Sequence, residues 1–215
     1  MKQVYLMPGM AASDLIFENI KLPKEQFKVH FMHWIIPDKN ESLTDYCSRL
    51  LQQIKHENPV LIGVSFGGII VQEIAKQIEL DQLIIISSVK SNKEFPRRMR
   101  FSKRTGIHKL LPTGLVVNLE SLLKYSFGIA PKRLELYQKY LSVNDKRYLD
   151  WALDTIMNWD QEKPIENIVH IHGNQDPVFP IKYIENCMVI EKGTHIMIIN
   201  RFRWFNENLP KIILS

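Results

Sequence analysis

The segment VLIGVSFGGIIV, residues 60–71, carries the clearest structural signal in this sequence of 215 residues. Its first five residues form a continuous apolar run, which is typical of a strand that is buried on both faces. From Ile69 onward, isoleucine recurs at Ile70, Ile74 and Ile78, at the spacing of one helix face. The segment therefore predicts a buried strand that passes directly into a helix through a tight turn at Ser65.

Five further apolar runs have the length and composition of strands. They are Val4–Met7, Phe27–Trp34, Leu83–Ile86, Ile168–Ile171 and the weaker Cys187–Ile190. Helical patterns separate most of these runs, and the connections are short. This alternation predicts an α/β fold with an open, mostly parallel sheet and helices on both faces.

Three further helices are predicted from periodicity, over Ser42–Glu57, Asn144–Trp159 and Ile196–Asn208. Residues 90–163 contain no good strand but several helical patterns. We interpret this region as a helical cap inserted into the sheet domain. The predicted division is therefore a core of residues 1–89 and 164–215 and a cap of residues 90–163.

Composition indicates a single globular unit, with 45% apolar and 24% charged residues. The two cysteines, Cys47 and Cys187, have no metal-like spacing and are expected to be free thiols in a reducing compartment. The N-terminal apolar run Val4–Met7 is shorter than the roughly 7–15 residues of a signal-peptide core. No segment approaches the roughly 20 apolar residues of a membrane span. We therefore expect a cytoplasmic protein without a membrane span.

The net charge of +5 is concentrated in the predicted cap, where residues 89–163 carry 15 Lys and Arg against 8 Asp and Glu. The basic residues are densest between Lys90 and Lys109. Such a patch can attract a nucleic acid, a membrane surface or an anionic substrate, and it can equally be a solvated face. Aromatic residues are sparse there and no nucleic-acid-binding signature is present, so no nucleic-acid partner is expected.

The turn at residues 63–68, GVSFGG, has the pattern of a nucleophile elbow. Such a turn holds its serine, here Ser65, in a strained conformation with the hydroxyl exposed, and Gly63 and Gly67 let strand and helix approach closely. The backbone N–H of Phe66, at the helix start, can then donate to an oxyanion. A phosphate-binding loop is the competing interpretation, but the lysine that it requires is missing. The dinucleotide fingerprint is also absent, and we predict no cofactor.

A base and an acid follow the last two predicted strands. Asp176 lies in HGNQD, residues 172–176, and His195 ends GTH, residues 193–195. Both are therefore expected at the carboxyl edge of the sheet, where open α/β sheets bind ligands. Taken singly, Asp176 before Pro177 is also typical of a turn, and His195 could be an ordinary histidine.

These motifs occur in the order Ser, Asp, His, and the whole chain resembles the α/β-hydrolase superfamily. The resemblance implies Ser65 as nucleophile, His195 as general base and Asp176 as the group that orients the imidazole. It also implies an oxyanion hole formed by the N–H groups of Phe66 and Met10. The sequence differs from many members of the superfamily in two ways. In the loop after the first strand it has Met7-Pro8-Gly9 where many relatives have His-Gly. The two strands that usually precede this loop are missing, so we expect a shortened sheet.

The resemblance implies a serine hydrolase that cleaves a small carboxylic ester or thioester through an acyl-enzyme. The substrate is expected to be a small molecule, and the basic cap leaves an anionic one open. The alternative is a ligand-binding or signalling protein that keeps this architecture and turns over slowly or not at all. No metal is expected, since His170 and His172 alternate on a strand without a third ligand at zinc-like spacing.

Overall fold

The computed structural model describes residues 1–100, 139–141 and 143–215. Six parallel strands form one sheet in the order β2-β1-β3-β4-β5-β6. The strands are β1 (Lys2–Met7), β2 (Phe27–Phe31), β3 (Val60–Val64), β4 (Gln82–Ile86), β5 (Val169–Gly173) and β6 (Met188–Ile190). The predicted α/β sheet is confirmed, and, as expected for a shortened sheet, the described residues form six strands.

The described helices are α1 (Leu43–Leu50), α2 (Phe66–Ala75), α3 (Lys146–Asn158), α4 (Met197–Asn200) and α5 (Phe202–Leu214). Single turns of 3₁₀-helix lie at Asp14–Phe17, Leu51–Gln53, Asn92–Glu94 and Ile181–Tyr183. The start of α1 is fixed by its cap, because the hydroxyl of Ser42 accepts the backbone N–H of Asp45 at 3.1 Å. The side chain of Asp145 caps α3 in the same way.

Alternate residues of the strands feed two hydrophobic cores, one on each face of the sheet. On β1, Tyr5 and Met7 pack with α1, α2 and α3, whereas Val4 and Leu6 pack with α4, α5 and the turn at Asp14–Phe17. All five residues of β3 are buried. The sheet is thus covered by helices on both faces, as its continuous apolar strands require.

The second strand is shorter than its apolar run suggested, since β2 ends at Phe31 and not at Trp34. Among the described strands, β2 pairs with β1 alone. The last bond of that pair is the N–H of Met32 to the carbonyl of Leu6, at 2.9 Å. The strand β1 ends one residue later, at Met7. The backbone at residues 33–35 bonds instead to side chains of the α1 region.

Two predicted helices also differ from those observed. The first ends as α1 at Leu50, followed by one 3₁₀ turn, and does not reach Glu57. The C-terminal helix is broken at Arg201, whose φ of −115° and ψ of 21° are not helical. Its second part, α5, continues beyond Asn208 through Pro210 to Leu214. Tertiary packing of Phe205, Leu209 and Ile213 supports this longer helix.

The predicted cap falls partly on residues 101–138 and 142, which lie outside the described residues. Of its described portion, α3 coincides closely with the predicted helix over Asn144–Trp159. Its buried side chains, including Tyr148 and Ala152, join the core on the α1–α2 face. The division into core and cap remains a prediction. No helix in the described part of the chain is both long and apolar enough to traverse a bilayer.

Candidate active site

Ser65 occupies the sharp turn between β3 and α2. Its backbone has φ 54° and ψ −119°, a conformation that a residue with a side chain rarely adopts. The surrounding structure holds it there: its N–H donates to the carbonyl of Ile86 at 2.9 Å, and its carbonyl accepts the hydroxyl of Ser88 at 2.7 Å. The serine side chain is consequently fixed at the carboxyl end of the central strand, and it is partly exposed.

The glycines of the turn are required by close backbone contacts. A Cβ atom at Gly63 would lie 2.2 Å from the carbonyl oxygen of Gly67. A Cβ atom at Gly67 would lie 2.3 Å from the carbonyl oxygen of Pro8. The first approach brings strand and helix together, and the second brings the start of α2 against the loop after β1.

The three side chains predicted as nucleophile, base and acid lie within hydrogen-bonding distance of one another. The Nε2 atom of His195 is 2.8 Å from the hydroxyl of Ser65, and its Nδ1 atom is 2.8 Å from Oδ2 of Asp176. The loops that carry His195 and Asp176 are joined by a bond from the N–H of Gln175 to the carbonyl of Gly193, at 2.9 Å. Residues 130 positions apart are thereby held in one arrangement.

Asp176 is buried, yet its carboxylate is fully engaged. Its Oδ1 atom accepts the backbone N–H groups of Val178 and Phe179 at 2.8 and 2.9 Å. Burial by itself would raise the pKa of Asp176, but the charge and hydrogen bond of His195, helped by His172 and Phe179, bring that pKa below its ordinary value. Because an ionised carboxylate can only accept hydrogen bonds, Nδ1 of His195 must carry the proton and donate to Asp176, which leaves the Nε2 lone pair for the Ser65 hydroxyl.

Two further histidines lie behind Asp176 on β5. The Nε2 atom of His172 lies 2.8 Å from the carbonyl of Phe179, so it donates there. Its Nδ1 atom is then an acceptor for Nε2–H of His170, at 3.1 Å. Both rings are buried and ordered by these bonds. Among the described residues, no three His, Cys, Asp or Glu side chains cluster as metal ligands would.

The pH dependence of stability should reveal the buried His170. Burial lowers its pKa well below the ordinary value, with His172 and Lys90 adding to the effect. The folded protein keeps this ring neutral, whereas the unfolded chain protonates it below about pH 6.5. Because the unfolded state then binds more protons, stability falls as the pH falls below that value, by up to about 1.4 kcal/mol per pH unit.

Urea denaturation of wild type and His170→Gln at pH 7.5 and pH 5.5 measures this contribution. We expect the free energy of unfolding of the wild type to fall by about 1 kcal/mol more than that of the variant over this interval. The other titrating groups are common to both proteins, and the amide of the glutamine can replace the hydrogen bond that His170 donates to Nδ1 of His172, so that His172 keeps its partner in both. Equal losses in the two proteins would contradict the assignment of a neutral His170.

The two backbone amides predicted as oxyanion donors have no hydrogen-bond acceptor among the residues that the structure describes. Neither the N–H of Phe66 nor that of Met10 donates to an acceptor within the described part of the chain. Phe66 is the first residue of α2, where helix geometry leaves an N–H without a partner. Met10 is partly exposed in the loop after β1. Both groups are therefore available to a bound ligand.

Sequence reasoning missed two residues that contact this region. Ser88, after β4, supports the turn at Ser65 through its hydroxyl, and no motif marks it. Tyr148, on α3, is fully buried, and its hydroxyl lies 3.4 Å from the backbone N–H of Ala11. The apolar pattern of the predicted helix over Asn144–Trp159 indicated only that Tyr148 lies on its buried face.

Solved structures that resemble this chain have α/β-hydrolase folds. A bromoperoxidase from Bacillus anthracis has a TM-score of 0.70 and 17% identity, over 99% of this chain and 91% of that one. An esterase from Thermogutta terrifontis has a TM-score of 0.72 and 12% identity, over 100% of this chain and 90% of that one. An esterase from Exiguobacterium antarcticum has a TM-score of 0.69 and 18% identity, with coverages of 100% and 92%. These likenesses confirm the predicted α/β-hydrolase fold.

No curated protein matches the sequence. A family model described as "Uncharacterised protein family (UPF0227)" matches residues 14–125, more than half of the chain. That match includes β2, β3, β4 and the turn at Ser65. The chain therefore belongs to the Uncharacterised protein family (UPF0227), and it has the α/β-hydrolase fold.

Proposed function

We propose that this protein is a serine hydrolase that cleaves a small carboxylic ester or thioester. The observation that carries the proposal is the hydrogen-bonded series from Ser65 through His195 to Asp176 at the carboxyl edge of the sheet. The esterases among the structurally similar proteins support it, although their identity to this chain is low.

The reaction has two halves. Ser65 attacks the carbonyl carbon while Nε2 of His195 removes its hydroxyl proton, and Asp176 stabilises the imidazolium that forms. The tetrahedral oxyanion accepts hydrogen bonds from the N–H groups of Phe66 and Met10. His195 then passes its proton to the leaving alcohol or thiol. Water then attacks the acyl-enzyme while His195 removes its proton. His195 passes that proton to the oxygen of Ser65 as the bond between this oxygen and the acyl group breaks, and the acid leaves.

The test combines hydrolysis of short p-nitrophenyl esters and thioesters with labelling by a fluorophosphonate. Rapid stoichiometric labelling at Ser65, with hydrolysis that the Ser65→Ala variant lacks, is expected. A fluorophosphonate that fails to label the folded wild type would instead favour the ligand-binding or signalling alternative.

An anionic substrate is the finer part of the proposal, and it is supported by a cavity whose lining includes Lys93, which pairs with Glu162 at 3.9 Å, and Arg100. The cavity has a volume of about 300 Å³ and combines two cations with an apolar lining. The described residues that line it are Asn92, Lys93, Phe95, Met99, Arg100 and Met157. Such a combination suits a ligand that has an anionic group and an apolar body.

Aromatic contacts link this cavity to the proposed base. The ring of Phe95 lies 6.0 Å from that of Phe179, and the ring of Phe179 lies 5.5 Å from the imidazole of His195. Arg98 approaches from the same side, since its guanidinium donates to the carbonyl of Pro177 at 2.9 Å. Two aromatic rings therefore connect the cavity with His195, and one cation, Arg98, binds the residue that follows Asp176.

Salt dependence tests the anionic substrate. We expect kcat/KM for an ester that carries a carboxylate, such as a p-nitrophenyl hemisuccinate, to fall about fivefold between about 0.01 M and 0.15 M ionic strength. The neutral p-nitrophenyl butyrate should change little. Lys93→Gln combined with Arg100→Gln should remove the difference, whereas Lys211→Gln on α5 should preserve it. The same salt dependence for both esters would refute this part of the proposal.

A further inference from the structure

One indole side chain contacts both of the segments that carry the proposed oxyanion donors. The Nε1–H group of Trp34 donates to the carbonyl of Gly9 at 3.0 Å. The indole ring also stacks on the ring of Phe66, with centroids 5.2 Å apart and planes at 8°. Trp34 follows the edge strand β2, so the sequence places it far from either donor.

The carbonyl of Gly9 accepts two hydrogen bonds, one from the indole of Trp34 and one from the backbone N–H of Ala12, each at 3.0 Å. Trp34 is the side-chain donor of the two, and together they fix the direction of the neighbouring N–H. The carbonyl of Gly9 and the N–H of Met10 belong to the same peptide unit, which is planar and trans. In a trans unit the two groups point in opposite directions. Any donor that holds the Gly9 oxygen therefore also sets where the Met10 N–H points, and it polarises that N–H toward stronger donation.

The rest of the loop is held from the α3 side. The backbone N–H of Val143 donates to the carbonyl of Ala11 at 3.1 Å, and the N–H of Ala11 lies 3.4 Å from the hydroxyl of Tyr148. Ala11 has a φ of 63°, so this turn would be costly without such contacts. The ring of Tyr148 also packs on that of Trp34, with centroids 5.1 Å apart.

We propose that Trp34 is a positioning residue for catalysis, which orients the Gly9–Met10 peptide so that the Met10 N–H points at the oxyanion. This inference rests on the proposed hydrolase function. Trp34 itself touches neither the nucleophile nor the proposed base in the structure's hydrogen bonds and ring contacts. Its effect should therefore appear in the step that develops the oxyanion and not in substrate binding.

The experiment uses Trp34→Phe, which keeps one aromatic ring for stacking on Phe66 and removes the N–H donor together with the second ring of the indole. We expect kcat for a p-nitrophenyl ester to fall about tenfold, because a poorly aimed donor loses part of the roughly 10²–10³-fold that such a group supplies. KM should change less than about threefold. Affinity for a short alkyl trifluoromethyl ketone, which Ser65 converts to a tetrahedral oxyanion, should fall in parallel with kcat.

Two further variants make the outcome decisive. Tyr148→Phe, which frees the N–H of Ala11, should give the same pattern with a smaller loss, and it replaces Trp34→Phe if that variant does not fold. Trp204→Phe is the matched control, since Trp204 packs with the core on the other face of the sheet. It should leave kcat and ketone affinity unchanged.

The results separate this inference from the function on which it rests. If the wild type is active and the folded Trp34→Phe variant has unchanged kcat and unchanged affinity for the ketone, only the positioning role of Trp34 is overturned. A rise in KM without a fall in kcat would also overturn it, because it would assign Trp34 to substrate binding. A wild type that neither hydrolyses esters nor reacts with a fluorophosphonate would overturn both proposals.

Discussion

Replacing Ser65 by alanine is expected to lower kcat for short esters by about 10⁵–10⁶-fold, to the level that the remaining site supplies. The change removes one oxygen atom, the only group in the proposed mechanism that forms a covalent bond to the substrate. The strained turn should survive, because its backbone is held by Ile86 and Ser88 and not by the serine hydroxyl. Steady-state hydrolysis of p-nitrophenyl esters measures the effect.

The appropriate control is Ser48→Ala, which removes a hydroxyl on the exposed surface of α1. That variant should retain full activity and full labelling by a fluorophosphonate. Circular dichroism and the thermal midpoint should be close to wild type for both variants. Hydrolysis by a folded Ser65→Ala variant at the wild-type rate would refute the serine mechanism, because no other side chain in that mechanism can act as the nucleophile.

Asp176→Asn should lower kcat by about 10⁴-fold while leaving the fold intact. In the wild type, Oδ1 of Asp176 accepts hydrogen bonds from the backbone N–H groups of Val178 and Phe179. The side-chain oxygen of the asparagine is expected to take the same place. Its NH₂ group must then face Nδ1 of His195 and donate to it. That arrangement forces the proton of His195 onto Nε2, where it blocks transfer of the Ser65 proton.

The loss should fall on kcat far more than on KM, because the variant changes the tautomer of the base and leaves the binding surface alone. Asp38→Asn is the matched control, since it makes the same change at an exposed carboxylate that pairs with Arg49. Its activity should equal that of the wild type. An Asp176→Asn variant within tenfold of wild-type kcat would show that another group orients the imidazole.

The strands could be predicted best where local sequence and tertiary environment agree. The run Val60–Val64 coincides with β3, because a strand buried on both faces must be apolar at every position. The strand predicted over Phe27–Trp34 is longer than β2, because the apolar pattern at a strand end does not reveal whether the neighbouring strand continues beside it. Here the neighbour, β1, ends at Met7. The backbone N–H groups of His33 and Ile35 therefore donate to side chains and not to another strand.

The candidate site was predictable to the extent that it follows from chain order. Parallel strands bring all their carboxyl ends to one edge, so a serine, an aspartate and a histidine that each follow a strand end must meet there. What the sequence could not predict was the support around them. The hydroxyl of Ser88 on the Ser65 carbonyl and the indole of Trp34 on the Gly9 carbonyl depend on loops that no local pattern specifies.

Periodicity and motif order alone determined that this chain forms a parallel α/β sheet and that Ser65, Asp176 and His195 collect at its edge. Only the tertiary structure decided the distances among them, the direction of the Met10 N–H and the neutral, buried state of His170. The physical reason is the distance along the chain over which each effect acts. Apolar periodicity reflects burial that each segment experiences separately, whereas hydrogen-bond geometry and pKa values arise from groups that folding brings together from distant parts of the chain.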